Sequence, residues 1–201
     1  MSEPRLDDVA LFPLQTVLYP DGLLPLRLFE QRYLEMAKSC LREDRPFGVC
    51  CIREGREVGT PATPHDVGCL ARIAHWDMAQ LGVLSIVAQG TQRFRILERR
   101  VERDGLARAS IALLPQARDA EITETHQGCV RFLRAILEQT ETALIAQPAR
   151  YESSVWVSAR LAERLPLPLE LKQALLEMDD GAERLARLGA ALAELGARFA
   201  R

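Results

Sequence analysis

The hydrophobic pattern of this 201-residue chain changes once, near residue 116. Before that point, short runs of Val, Ile and Leu are broken by Gly and Pro, which is typical of strands. After it, apolar residues recur every three or four positions, which predicts helices. A chain that keeps its strands and helices in separate halves favours an α+β fold over repeated βαβ units. We therefore predict a β subdomain over residues 1–116 and a helical subdomain over residues 117–201.

Eight short segments of the first half have the composition of strands, and one segment has helical spacing. The predicted helix is Glu30–Glu43, and Arg45-Pro46 ends it. Pro13 and Pro20 are each expected to close one of the first two strands. With a single helix among so many strands, the pattern predicts a compact, mostly antiparallel, barrel-like sheet. The predicted strands are Val9–Phe12, Thr16–Tyr19, Leu23–Leu28, Phe47–Ile52, Val67–Trp76, Val83–Ala88, Arg93–Ile96 and Ala107–Leu113.

The second half is expected to begin with a long amphipathic helix. Its apolar residues trace one face from Ile122 to Leu144, and the helix is expected to end near Gln147-Pro148. His126 falls on the apolar face. We interpret it as a hydrogen-bonded core histidine rather than a metal ligand.

Three further helices complete a predicted C-terminal bundle. One covers Val155–Ala162, the next covers Leu169–Met178, and Asp180 is expected to cap the last. The last helix carries a leucine seam at coiled-coil spacing, which we expect to pack against its own bundle rather than a second chain. The seam residues are Leu185, Leu188, Leu192, Leu195 and Phe199.

The composition argues against several classes of protein. With 48% hydrophobic and 27% charged residues the chain is ordinary for a globular protein, and its formal net charge of −2 provides no global attraction to nucleic acid. The polar start MSEPRLDDVA lacks a signal-peptide pattern, and there is no membrane-spanning run of about 18 apolar residues. Five cysteines, an odd number, favour reduced thiols in the cytoplasm.

Motifs of the common catalytic classes are absent from the sequence. Neither G-x-x-x-x-G-K-[ST] nor G-x-S-x-G occurs. Lys38 and Lys172 are expected on helix surfaces, which argues against a Ser–Lys dyad. Cys50, Cys51 and Cys69 lie within strand patterns, where buried thiols are usually inert. Neither C-x-x-C nor H-E-x-x-H occurs either. We therefore expect no catalytic residue, no metal and no cofactor.

A local cluster of basic residues supports an alternative hypothesis, RNA binding. Five arginines lie from Arg93 to Arg103, but Glu98 and Glu102 are interleaved with them and Asp104 follows. Alternation predicts that Phe94 and Ile96 point inward while the flanking arginines, Arg93 and Arg95, point outward. Phosphate binding depends on accumulated positive charge, and aromatic stacking platforms are missing here. A solvated strand edge is the favoured interpretation, so nucleic acid is an unlikely partner on this pattern.

The segment from Leu11 to Tyr33 reads LFPLQTVLYPDGLLPLRLFEQRY and has a recognisable order of motifs. Phe-Pro-Leu, Pro-x-Gly, Leu-Pro-Leu and Phe-Glu-x-Arg-Tyr follow one another, and later matches include Phe47-Gly48-Val49, Val67-Gly68 and Leu165-Pro166. This order resembles the LON substrate-binding domain found at the amino terminus of Lon proteases. The resemblance covers nearly the whole chain. It implies a PUA-like β pseudo-barrel with one inserted helix, followed by a helical bundle.

The resemblance also implies a function. In Lon this domain helps to select unfolded or tagged substrates, so the resemblance implies a non-catalytic protein that binds polypeptides, as an adaptor or a modulator of proteolysis. The Lon ATPase and Ser–Lys protease domains have no counterpart in these residues. The expected partners are other proteins or unfolded segments, with no membrane, in the cytoplasm. The resemblance does not decide the oligomeric state, which can be a monomer or a dimer.

The contact surface predicted from the motif is a short apolar strand edge. A proline inside Leu23–Leu28 argues that this strand lies at the edge of the sheet. An apolar edge can accept an extended peptide by strand addition. Phe29 and Tyr33 are expected to anchor the first helix on the barrel. The predicted peptide-binding residues are Leu23, Leu24, Pro25, Leu26 and Phe29.

Overall fold

A computed structural model describes residues 4–139 and 147–199, with residue 79 and residues 195–199 described by their backbone alone. The chain divides into two compact units, Met1–Pro115 and Gln116–Arg201. In the described residues, the first unit holds seven strands and one α-helix, and the second holds four α-helices and a 3₁₀ turn. This architecture confirms the predicted α+β fold, a β barrel with one inserted helix followed by helices.

The first unit is built around a closed ring of five strands. Its elements are β1 (Arg5–Leu14), β2 (Leu23–Leu28), α1 (Gln31–Glu43), β3 (Phe47–Glu54), β4 (Thr63–Pro64), β5 (Val67–Gln80), β6 (Val83–Val101) and β7 (Ala107–Leu113). The sheet order is β1-β7-β6-β5-β3, and a parallel ladder between β3 and β1 closes the ring. The other ladders are antiparallel, with β2 added to β6 and β4 added to β3.

Two hydrophobic clusters form because neighbouring residues of a strand point to opposite faces. On β1, Leu11 belongs to a cluster that receives residues from all five ring strands, including Phe94. The next residue, Phe12, belongs to a cluster that α1 covers. There Phe12 meets Tyr33 edge to face, with ring centroids 4.3 Å apart. The helix inserted after β2 thus closes one face of the sheet.

The segment Thr16–Tyr19 is buried but is not a strand, so this prediction was wrong. Its apolar residues fill the core, yet the following turn takes its backbone away from any ladder. The Gly22 amide donates to the Tyr19 carbonyl at 3.0 Å, and the Asp21 amide donates to the Gly90 carbonyl at 2.9 Å. Pro13 does not close β1 either. It pairs with Cys50 inside the parallel ladder, and β1 ends one residue later.

The predicted strands Val83–Ala88 and Arg93–Ile96 are the two halves of one long strand, β6. This strand has a different neighbour at each end. Its first half pairs with β2 and its second half pairs with β7, while β5 runs along its other side. Inward-facing Phe94 is confirmed, as it is fully buried. The outward orientation expected of Arg93 was wrong. That side chain is 3% exposed, and its Nη2 donates to the Pro115 carbonyl at 3.0 Å.

The second unit begins with a shorter helix than the sequence predicts. The helix α2 covers Gln127–Glu138, after a 3₁₀ turn at Glu124–His126. Ile122 lies outside it because its neighbour Glu121 forms an isolated bridge with Ser153 that keeps the chain extended. His126 ends the 3₁₀ turn and is partly exposed, so it is not a core histidine. The helix ends at Glu138 rather than near Gln147-Pro148, which are not helical, and Leu144 lies outside the described residues.

The remaining helices lie where the sequence predicts them: α3 (Ser154–Arg164), α4 (Leu169–Glu177) and α5 (Gly181–Phe199). Asp180 caps α5 as expected, since its Oδ1 accepts from the amides of Ala182 at 2.9 Å and Glu183 at 3.0 Å. Within the seam, Leu185 and Leu188 are fully buried and Leu192 is partly exposed. The side chains of Leu195 and Phe199 lie outside the described residues, so packing of the whole seam within its own bundle stays a prediction.

Candidate functional site

The predicted contact strand, β2, is an edge strand in the structure. Among the described strands only β6 pairs with it, and Pro25 lies opposite Val87. The alternation of β2 divides its side chains between two environments. Leu24 and Leu26 are partly buried and pack against the core cluster under α1, whereas Pro25 is exposed. The strand therefore offers a free backbone edge, but two of its predicted contact residues mainly support the fold.

Phe29 lies just beyond the end of β2 and is 58% exposed. It does not anchor α1 as expected. Of the two aromatic residues, only Tyr33 anchors α1, and it is 7% exposed. Beside it, Arg32 is also buried, and its guanidinium donates to Glu30 Oε2 at 2.8 Å and to the Gly105 carbonyl at 3.0 Å. The Phe-Glu-x-Arg-Tyr motif thus fastens the start of α1 through its last two residues and leaves its first residue in solvent.

Sequence reasoning missed an apolar hairpin that lies next to this edge. The strands β5 and β6 extend beyond the ring and meet at a turn where Gly82 has a φ of 80°. Near the turn, Trp76 is 59% exposed, Met78 is 50% exposed and Leu81 is 97% exposed. Single exposed apolar residues are ordinary, but three large ones on one hairpin form an exposed apolar patch. The signal in the sequence was a leucine in a turn where a polar residue is usual.

The hairpin and β2 are joined by pairing across β6, where Ile86 is buried at 2% exposure. Leu26 pairs with Ile86 and Ile86 pairs with Trp76, so their side chains share a face of the sheet. The Arg27 guanidinium donates to the Gln80 Oε1 at 3.2 Å across the same strand. A groove of about 420 Å³, here called the hairpin groove, lies along these strands and is lined by Pro25, Leu26, Arg27, His75, Trp76, Asp77, Ser85, Ile86 and Val87.

A second, smaller cavity lies beside β2. This edge pocket has a volume of about 190 Å³, and its walls combine aromatic side chains with two carboxylates. It shares Pro25, Leu26 and Arg27 with the hairpin groove. The lining residues are Phe12, Leu14, Pro25, Leu26, Arg27, Leu28, Phe29, Glu30, Tyr33, Glu57 and Val58.

The candidate nucleophiles lie in unreactive surroundings. Cys50 is 1% exposed, and its burial, with the neighbouring Cys69 and Cys51 thiols, raises its pKa well above the usual range. The expectation of buried thiols at all three cysteines is confirmed. Lys172 is partly buried rather than fully exposed, and its Nζ donates to the Glu163 carbonyl at 3.1 Å. No group of three or more potential metal ligands occurs within the part of the chain that the structure describes.

The arginine cluster is largely engaged in contacts within the first unit. Besides the buried Arg93, the Arg99 guanidinium donates to the Ala62 carbonyl at 3.3 Å. Arg100 pairs with Asp8 and with Glu102, the latter at 2.9 Å. These partners compete with phosphate for the cations. The hypothesis of RNA binding stays a prediction, with less free positive charge behind it than the sequence indicates.

Comparison with known proteins identifies the family. A model of the ATP-dependent protease La (LON) substrate-binding domain matches residues 8–194. The chain belongs to this family. The LON domain resembles the crystal structure of a Lon N-terminal domain protein from Xanthomonas campestris, with a TM-score of 0.76 and 33% identity over 92% of this chain and 98% of that one. An N-terminal domain of a Mycobacterium avium complex Lon protease shares the fold, with a TM-score of 0.62 and 18% identity over 90% of this chain and 95% of that one.

Curated relatives are longer than this LON domain. It is 29% identical to a Lon protease of Methylocella silvestris over 96% of this chain and 24% of the relative. It is also 31% identical to the protein cereblon of Gallus gallus over 50% of this chain and 22% of the relative. The matches thus cover about a quarter of the length of these proteins. No helix in the described residues is long and apolar enough to cross a membrane.

Proposed function

We propose that this LON domain binds extended apolar segments of unfolded or degradation-tagged proteins at β2 and the β5–β6 hairpin, without catalysing a reaction on them. The membership of a substrate-binding family supports binding in general. The location rests on one observation, the cluster of large exposed apolar side chains beside an unpaired strand edge. In a monomeric protein, such a cluster marks a contact surface.

The free edge of β2 suits recognition by strand addition. Backbone groups of the edge bind any extended segment, and the neighbouring cavities select among its side chains. Because alternate side chains of a strand point to opposite faces, every second side chain of a bound segment points to the face of the sheet that holds the edge pocket. Phe29 and Val58, each 58% exposed, lose contact with water when a segment covers that pocket. Burying each such apolar side chain contributes about 1 kcal/mol or more.

A binding measurement with an unfolded protein tests this proposal. Reduced, carboxymethylated lysozyme labelled with a fluorophore is titrated with the full chain, and anisotropy reports binding. We expect the double variant Trp76→Ser/Leu81→Ser to weaken binding about tenfold, since two exposed anchors are lost. The matched control is Leu97→Ser/Val101→Ser, whose targets are 41% and 50% exposed elsewhere on β6.

The outcome is decisive because both variants change exposed residues and leave the core intact. If the control weakens binding as much as the hairpin variant, the surface is wrongly placed. If the wild type does not bind unfolded protein while it is folded by circular dichroism, polypeptide binding is wrong. Leu24 and Leu26 are poor test positions, because their partial burial against the core ties binding to stability.

As an adaptor or modulator, the LON domain is expected to change how fast a protease degrades a bound client. The test adds it to a purified Lon protease with an unfolded substrate and follows the degradation rate. A rate that does not depend on the LON domain at saturating concentration excludes this role. It leaves the binding itself intact, which the anisotropy measurement decides separately.

A further inference from the structure

The edge pocket has polar features that the binding of apolar segments does not use. With a volume of about 190 Å³ it is smaller than a pocket for a whole small-molecule ligand, which takes about 300–1,000 Å³. It therefore suits one side chain of a bound strand. Phe12 and Leu14 supply apolar walls, and Phe29 and Val58 stand exposed at its rim.

The side chain of Tyr33 opens onto this pocket. Tyr33 lines it and is 7% exposed, with its ring held by the edge of Phe12 and by the Arg32 guanidinium, 4.7 Å from the ring centroid. Among the described residues, no group forms a hydrogen bond with the Tyr33 hydroxyl. A hydroxyl group can both donate and accept a hydrogen bond, so this one is available to a ligand group.

Two carboxylates, those of Glu30 and Glu57, line the same pocket as Tyr33. Burial raises the pKa of Tyr33, the Arg32 charge lowers it, and the charges of Glu30 and Glu57 raise it further. Glu30 already pairs with Arg32 through Oε2. Glu57 accepts from the Gln15 amide through Oε1, but no cation among the described residues pairs with it. One negative charge of the pocket is therefore left without an ion pair.

Arg27 is the cation that competes with a ligand here, since it lines the edge pocket too. Its guanidinium, however, extends across β6 to the neutral side chain of Gln80, with a donor–acceptor distance of 3.2 Å. Arg27 is also exposed, so water screens much of its charge. It weakens the negative potential of the pocket without neutralising Glu57 through a direct contact.

From these contacts we propose that the edge pocket accepts a lysine side chain of the bound polypeptide, an inference that rests on the proposed function. The four-carbon stem of lysine packs along Phe12 and Phe29, as such stems do on apolar surface. Its ammonium group has three donors, and three side chains with acceptor oxygens line the pocket: Tyr33, Glu30 and Glu57. The preferred client is thus an apolar strand with one lysine in register.

A set of matched peptides tests the lysine preference. Three ten-residue peptides of Leu, Val and Ser carry Lys, norleucine or Glu at one central position. Acetylated and amidated ends make the lysine the only cation, and all carry the same fluorophore. With the full chain we expect the Lys peptide to bind about fivefold tighter than the norleucine peptide, as for a partly exposed ion pair. The Glu peptide is expected to bind weakest.

Variants assign the preference to the pocket. Glu57→Gln is expected to bring the ratio of Lys to norleucine affinity close to one, with norleucine binding unchanged. The matched control, Glu54→Gln, changes an exposed acid of β3 that does not line the pocket and keeps the ratio. Tyr33→Phe should lower the ratio about twofold, since only one acceptor is removed. Arg27→Gln should raise it about twofold, because a competing cation is removed.

Each outcome decides between the two proposals. Equal affinity of the wild type for the Lys and norleucine peptides overturns the lysine preference and leaves polypeptide binding standing. A preference that Glu57→Gln does not reduce overturns the assignment to this pocket. The absence of binding by all three peptides, together with the absence of binding to unfolded lysozyme, overturns the proposed function and this inference with it.

Discussion

The two ends of the β5–β6 strand pair have opposite properties. At the inner end, Phe94 is fully buried, and its ring lies so close to Gly48 and Gly68 that a Cβ at either glycine would come within 2.7 Å of it. At the outer end, Trp76 and Leu81 are 59% and 97% exposed. Both ends are antiparallel ladders with register shifts, so secondary structure does not distinguish them. The environment of the strands does.

The difference comes from which strands flank the pair. At the inner end, β3 pairs with β5 and β7 pairs with β6, so the ring closes over the apolar side chains. Beyond Ala71, the described part of β5 pairs with β6 alone, and only β2 is added on the far side of β6. Apolar residues therefore stabilise the fold at one end, and at the other they are available to a partner.

The largest effect that tests this comparison is expected from Phe94→Ala. Removing a fully buried aromatic ring from the ring-strand cluster should lower the free energy of unfolding by about 3–5 kcal/mol. Phe29→Ala is the matched control, and because Phe29 is 58% exposed we expect a loss below about 1 kcal/mol. Urea unfolding followed by circular dichroism measures both. Similar losses for the two variants would break the comparison.

A smaller effect is expected from adding a methyl group at Gly90. Its Cβ would lie 2.2 Å from the Tyr19 carbonyl oxygen, which is backbone and cannot turn aside. We expect Gly90→Ala to destabilise the protein by about 1–3 kcal/mol. At the outer end, Gly82→Ala meets no atom within 4 Å, and its cost comes from its positive φ alone, about 1 kcal/mol. Thermal or urea unfolding that ranks Gly82→Ala as the costlier variant contradicts the packing argument.

The smallest effect sharpens the functional side of the comparison. Met78→Ser changes a half-exposed residue of the hairpin, so the free energy of unfolding should stay within about 0.5 kcal/mol of the wild type. Affinity for the unfolded lysozyme probe should fall about two- to fivefold, because one apolar contact is lost. Unfolding curves and anisotropy titrations measure the two quantities on the same preparations. Loss of stability without loss of affinity would assign Met78 to the fold.

Local sequence signals predicted elements well where pattern and packing agree. The strand at Leu23–Leu28 has the predicted bounds, because alternation and its proline both indicate an edge. Thr16–Tyr19 has the same apolar character, but its backbone docks into a turn held by Gly90, more than seventy positions away in the sequence. Arg93 follows the alternation of its strand and is nevertheless buried, because the Pro115 carbonyl accepts its hydrogen bond.

The candidate site was only partly predictable for the same reason. The motif drew attention to β2 and Phe29, and the free edge is there. The hairpin residues Trp76 and Met78 follow an ordinary strand pattern, and their exposure depends on the absence of a flanking strand at that height of the sheet. The carboxylates of the edge pocket come from the residue that precedes α1 and from the loop after β3, and no local pattern relates those positions.

By itself, the sequence determined the family, the division into a β half and a helical half, and the residues of the Phe-Glu-x-Arg-Tyr motif. Those properties follow from spacing along the chain, which short-range propensities and turn residues set. The tertiary structure alone decided which apolar residues stay in solvent and which polar groups meet at the edge pocket. Exposure depends on neighbours brought together from distant parts of the chain, and only the closed ring of strands specifies them.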